Sequence, residues 1–221
     1  MRLKWAMKLS TYRLLSVVKK EFAVSLRQRA VFASMLMFSL TTLACISLSL
    51  RGAVLEPELL VALLWIIIFF ASTALDRTFD DEAIITLKVY GDAQSILFGK
   101  MIYSLLSMIV VSMFLIPIFV ILFDCDITSP LILMLTIFLG LCGISSSGTL
   151  ISAISSVASV RNGLFPILLF PIVLPIFLPA IELTTAAFSG AEVLPSMLIA
   201  MIIYDLILIV ASSILFDNLW Y

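Results

Sequence analysis

Residues 101–123 read MIYSLLSMIVVSMFLIPIFVILF, 23 consecutive positions without a charge. As a helix this run is about 34 Å long at 1.5 Å per residue, enough to cross a hydrocarbon core of about 30 Å. Its apolar residues do not alternate with polar ones, which excludes a barrel strand. Five further runs of the same kind cover residues 30–50, 59–75, 129–157, 163–181 and 193–216. The run at 59–75 is short, and the one at 129–157 is long enough to tilt or project. Hydrophobic residues make up 63% of the chain and charged ones 12%, about half the charged share of a soluble domain. The expected fold class is all-α: a polytopic membrane protein with six transmembrane helices. Residues 1–29 form a cytoplasmic, amphipathic interfacial segment, and 30–221 a six-helix membrane domain with a cytoplasmic loop at 76–100.

Loop charge sets the orientation, because Lys and Arg collect on the cytoplasmic side. Of the 13 Lys/Arg, all but Arg51 fall on one side of the six expected spans. The acids Glu56, Glu58, Asp124, Asp126, Glu182 and Glu192 fall on the other. Both termini are therefore expected in the cytoplasm. The basic region before the first span is too long, and the span too complete, for a cleavable signal. Cys45, Cys125 and Cys142 show no paired spacing and read as small apolar residues.

The chain has no histidine. That removes Ser–His and Cys–His nucleophiles, His-based zinc sites and a His axial ligand for haem. Gly143-Ile144-Ser145-Ser146 therefore lacks a base for serine proteolysis, and Asp205 lacks a second intramembrane acid for an aspartyl pair. The only Gly-Lys pair, Gly99-Lys100, is followed by Met101 rather than Ser or Thr, and Gln94 stands where a phosphate loop needs its first Gly. The chain is expected to be a non-catalytic subunit that neither hydrolyses ATP itself nor holds a metal.

Five features remain as candidates for function. In residues 1–29, Leu15, Val18, Phe22 and Leu26 share a helical stripe, with Lys19, Lys20, Arg27 and Arg29 off it. Such a helix lies at the lipid headgroups and can pass on force from a cytoplasmic partner. The loop 76–100 opens with Asp76, Asp80, Asp81 and Glu82, acids suited to a helix N-terminus. Ile84, Ile85, Leu87, Val89 and Tyr90 follow, too apolar for a loop that covers nothing. The loop reads as a docking helix for a partner groove, against the alternative of folding back on the membrane. Gly148, Ser152 and Ser156 form a small-residue ladder in the fourth span, suited to close helix packing. Pro166, Pro171, Pro175 and Pro179 predict a kinked or partly unwound fifth span that faces the bundle. Asp205 lies in the middle of the sixth span, and no basic residue falls within any expected span. It is expected to be protonated or hydrogen-bonded to another helix, a polar site inside the membrane.

Leu75-Asp76-Arg77-x-Phe79-x-Asp81-Glu82 resembles the Leu-acid-Arg-x-Phe-x-Asp-acid motif of the CcmB family, the haem-exporter permeases of cytochrome c maturation. Its continuation to Lys100, the Arg161-x-Gly163 segment and the Pro171/Pro175 pair are similar to that family as well. Ile84-Ile85 stands where the family carries Asp-Gly, and Asn162 replaces one Gly.

The resemblance implies a permease subunit of an ABC-type complex in the bacterial inner membrane, an organelle-encoded mitochondrial homologue being left open. ATP would be bound by a separate CcmA-like ATPase, present in two copies. CcmC-like and CcmD-like membrane subunits would complete the assembly, and a CcmE-like periplasmic chaperone would receive the haem. Haem is then cargo of the complex, no cofactor belongs to this subunit alone, and no nucleic acid is involved. Asp76, Arg77, Phe79, Asp81, Glu82, Ile84, Ile85 and Leu87 would dock the ATPase; Arg161, Gly163, Pro171, Pro175 and Pro179 would form a bundle-facing hinge. The other reading of the same six-span plan is an ABC-type exporter of lipid or polysaccharide.

Overall fold

The computed structural model describes residues 15–20, 29–50, 55–73, 93–157 and 165–220. Residues 15–20 are helical, and six longer helices follow: α1 Arg29–Leu50, α2 Pro57–Thr73, α3 Ala93–Phe123, α4 Pro130–Val157, α5 Phe165–Ser189 and α6 Pro195–Trp220. No strand occurs among the described residues. All but α2 are long and apolar enough to cross a membrane, and α2 is a shorter apolar helix of 17 residues. The protein is an all-α, polytopic membrane protein.

The sequence sets the helix ends locally. α2, α4 and α6 each begin on a proline, which tolerates the first helical position because its missing N–H needs no partner there. Glu56 and Ser129 offer their carbonyls to the first amides of α2 and α4. α5 ends at Gly190, whose φ of 73° supplies a left-handed stop; its amide bonds back to Ala186 O at 2.9 Å.

α4 is the central helix, in contact with α2, α3, α5 and α6. Apolar burial does not drive helices together in lipid, so close packing has to. Gly140 provides it against α2, since a Cβ there would overlap the Trp65 ring. Trp65 is fully buried and donates its indole N–H to Thr184 Oγ1 on α5 at 3.2 Å. Phe69 of α2 meets Phe177 of α5 edge-on at 5.8 Å. α1 is attached more lightly, with Met35, Ser39 and Leu43 as its buried residues among those described.

Two ends can be distinguished, here called inner and outer after the charge-based orientation. At the outer end, the connection between α3 and α4 caps α5. The amides of Thr128 and Ser129 donate to Ala187 O at 3.1 and 3.0 Å, and the Thr128 hydroxyl donates to Phe188 O at 2.9 Å. At the inner end a second, separate apolar cluster joins Ala93, Leu97 and Met101 of α3 to Ala153 of α4 and Phe216 of α6.

Trp65→Ala should lower stability by about 3 kcal/mol, the scale of a large core truncation. Thr184→Ala should cost roughly 0.6 kcal/mol, the usual value of a hydrogen bond between membrane helices. Reversible unfolding in mixed micelles measures both; equal losses would mean that the hydrogen bond, not the ring against Gly140, holds α2.

Candidate functional site

The docking residues read from sequence (Asp76, Arg77, Phe79, Asp81, Glu82, Ile84, Ile85 and Leu87) lie outside the described residues, as do Arg161 and Gly163. What the structure does give is the element that leaves that loop. α3 begins at Ala93, eight residues before the run at 101–123, and Ile96 and Leu97 in its first turns are fully buried. Gln94 donates from Nε2 to Asp217 Oδ2 of α6 at 3.0 Å. Residues 94–100, expected as the end of the cytoplasmic loop, are thus helical and fixed to two neighbours.

That extension corrects one sequence expectation. Lys100 lies within α3 and is 2% exposed, so the helix of the third span begins before its charge and the expected loop 76–100 ends earlier. The hydropathy ruler stops at charges and places the boundary after Lys100. The stripe Lys100, Ser104, Ser107 continues at helical spacing, and was the signal that the helix starts earlier.

The fifth span is corrected too. Expected as kinked or partly unwound, α5 is an uninterrupted helix from Phe165 to Ser189 with three prolines inside it. Pro171 and Pro175 are exposed and Pro179 is half-buried, so they do not form a bundle-facing hinge. Their spacing of four puts them on one stripe. The opposite stripe carries Leu169, Val173, Ile176, Phe177 and Ala180, the buried side chains that pack on the core. Tyr204 of α6 ties to this helix by donating its hydroxyl to Ile172 O at 2.8 Å.

Asp205, next to Tyr204, is 4% exposed, and neither carboxylate oxygen has a hydrogen-bond partner among the described residues. Its carboxyl lies against α4 at Gly143, where an added Cβ would come within 2.6 Å of Oδ1 and would overlap Ile176 Cδ1 of α5. Gly143 thus makes the space in which α4, α5 and α6 meet. An ionised carboxylate at this depth costs a few kcal/mol or more, so an unpartnered one is an energetic liability that the bundle retains. Of the two states expected from sequence, protonated or hydrogen-bonded to another helix, the second finds no partner among the described residues.

The serines of α4 mostly serve packing. Ser147 and Thr149 donate to Gly143 O and Ser145 O one turn back, at 2.6 and 2.7 Å. Ser145 instead crosses to α3 and donates to Met101 O at 2.7 Å. Between α1, α2 and α3, a cavity of about 10 Å³ is lined by Met35, Ile68, Ala71, Ser72, Met108, Val111 and Ser112, room for about one water. Among the described residues no group of three His, Cys, Asp or Glu is placed to hold a metal.

The sequence pattern of the CcmB protein family matches residues 12–214, which takes in the described helices almost to the end of α6. The chain belongs to the CcmB family. No individual curated protein matches it. Membership makes the chain a multi-pass membrane permease subunit of the haem-export type, in the ABC class of systems that serves cytochrome c biogenesis. The six-helix bundle and the proline-bearing α5 are the forms that the CcmB pattern takes here.

Gly143→Ala should destabilise the bundle by about 1–3 kcal/mol through overpacking. Ile176→Val, which removes the crowding Cδ1, should recover part of that loss in the double variant. Unfolding midpoints in mixed micelles check this; simple additivity of the two substitutions would contradict the three-helix contact.

Proposed function

We propose that this chain is the permease subunit that turns a partner's ATP hydrolysis into haem delivery in cytochrome c biogenesis. The observation that carries the reading is α3. It runs without a break from Ala93, beside the loop at 76–92, to Phe123 at the outer end. Its first turns are clamped to α4 and α6 through Leu97, Met101, Ala153 and Phe216 and through the Gln94–Asp217 bond. A push on the loop would therefore move three helices at the inner end together. The outer staple from Thr128 to α5 would carry that movement to the Pro-bearing helix.

Two CcmA-like ATPase subunits would dock under residues 76–92, with the interfacial segment 1–29 as a second contact. CcmC-like and CcmD-like membrane subunits would sit beside the bundle in the inner membrane, with both termini cytoplasmic. A CcmE-like chaperone would take up haem at the outer face. Without histidine, this chain has only Met, Tyr or Cys to offer haem iron. The step it drives is accordingly release of the loaded chaperone, with the iron held by a partner.

Ile85→Asp combined with Leu87→Asp, which places charge on the apolar docking face, should abolish co-purification of the ATPase while the bundle still folds. Retained ATPase in the purified complex would refute the loop assignment.

Cys125, in the connection between α3 and α4, tests the orientation. Burial first, and then the adjacent Asp124 and Asp126 carboxylates, raise its thiol above the ordinary value. Less thiolate is present at a given pH when the value is raised, so labelling by a membrane-impermeant maleimide should be slow near neutrality and speed up as pH rises. Asp124→Asn with Asp126→Asn should accelerate it. In a variant keeping Cys125 alone, the label should enter from the periplasmic face; entry from the cytoplasmic face would invert the topology.

A further inference from the structure

The proposed relay makes no use of Asp205, although the bundle keeps this acid at mid-membrane. Its carboxyl sits where α4, α5 and α6 meet, beside Gly143 and Ile176. The room there is small: a single Cβ on Gly143 would come within 2.6 Å of Oδ1 and would overlap Ile176. One residue earlier, Tyr204 donates to Ile172 O, and Ile172 lies one turn before Ile176 on α5. Two neighbouring side chains thus seat α6 in the groove between α4 and α5. Tyr204 does so by a hydrogen bond, Asp205 by contact alone.

Nothing in this junction balances a negative charge. Both carboxylate oxygens are buried and lack a hydrogen-bond partner among the described residues. The titratable residue of α4 is Cys142, and that of α5 is Glu182, exposed and six residues outward from Ile176. On α6 itself they are Tyr204 and, about three turns inward, Asp217. Neither α4, α5 nor α6 contains Lys or Arg. Lys100 and Tyr103 of α3 belong to the far side of α4. Ser145, which bonds Met101 O of α3, lies two residues from Gly143 and so about 200° around the helix. Desolvation at such a place favours the neutral acid, and an ionised carboxylate is costly. The packing at Gly143 is accordingly packing around a neutral acid.

We propose that Asp205 is a proton-operated latch: the neutral acid lets α6 close on α4 and α5, and loss of its proton releases α6 from that junction. On release the O–H bond of the acid breaks, its proton passes to water admitted by the movement, and the carboxylate keeps that water as its partner. Coupling of this kind is reciprocal. Raising the pH favours the released position, and any force that draws α6 away sheds the proton. The direction is fixed because the closed junction has a place for the acid and none for its anion. The latch gives α6 two positions wherever an ATPase docks.

Two readouts on the full chain in lipid nanodiscs, between about pH 5 and about pH 10, test the latch. Infrared spectra follow the carboxylic-acid C=O band, which Asp205→Asn identifies by lacking it. In a cysteine-free background, spin labels at Ile66→Cys on α2 and Leu206→Cys on α6, both exposed positions, follow the distance across the junction. Trp65 pins α2 to α4 and α5, so that distance reports movement of α6. The band should fade as pH rises, and a second distance should grow in over the same range. Asp205→Asn, which cannot ionise, should keep the low-pH distance throughout, with gel filtration confirming that this near-isosteric variant is folded. A band that fades with no change in distance would overturn the latch. So would a band absent at the acid end or undiminished at the alkaline end, or a change in distance that Asp205→Asn retains. Both wild-type readouts stand without the variant.

Discussion

The close approach of helices to α4 is the constraint on which the remaining structure depends. Lipid offers the chain no gain from hiding apolar surface, so the bundle holds only where backbones come near enough for side chains to interlock. Gly140 and Gly143 make that approach available by what they lack. At Gly140 the Trp65 ring occupies the place of a side chain, and at Gly143 Ile176 and Asp205 do. Both the seating of Trp65 from α2 and the meeting of α5 and α6 at Asp205 follow from α4 being small enough to be surrounded.

Around that axis the two ends of the molecule have different construction. The outer end is held by hydrogen bonds from the α3–α4 connection to the last carbonyls of α5. Hydrogen bonds of this kind keep their geometry, so α5 and the α3–α4 hairpin behave as one piece there. The inner end is held by a small apolar cluster separate from the main core and by one exposed polar bond. A relay needs that asymmetry: a joint that receives movement and a far end that passes it on without absorbing it.

Much of this was legible in the sequence, because bilayer thickness is a ruler that apolar runs either meet or miss. Six helices cover those runs, although α3 starts eight residues before its run and α5 ends eight residues after its own, taking Glu182 into the helix; the family resemblance was carried by short motifs around Asp76 and Arg161. The inner start of α3 was missed, since Gln94 and Lys100 look like loop residues and only the helical spacing of Lys100, Ser104 and Ser107 points the other way. The prolines were assigned the wrong face because their need for partners was clear, whereas the stripe opposite them is what packing selected. Asp205 stood out as a mid-membrane acid, but its neighbour Gly143 belongs to another helix and no local pattern connects them. The loop proposed for docking lies outside the described residues, so that proposal rests on sequence and on the helix that follows it.

The central claim is that the inner ends of α3 and α6 move as one body under the ATPase. A short bifunctional thiol cross-linker between Gln94→Cys and Asp217→Cys, in an otherwise cysteine-free complex with its ATPase partners, tests it most directly. The account predicts that the cross-linked complex still releases the haem-loaded chaperone on ATP hydrolysis at close to the uncross-linked level. Loss of release on cross-linking, restored by a reductant that cleaves the linker, would contradict it.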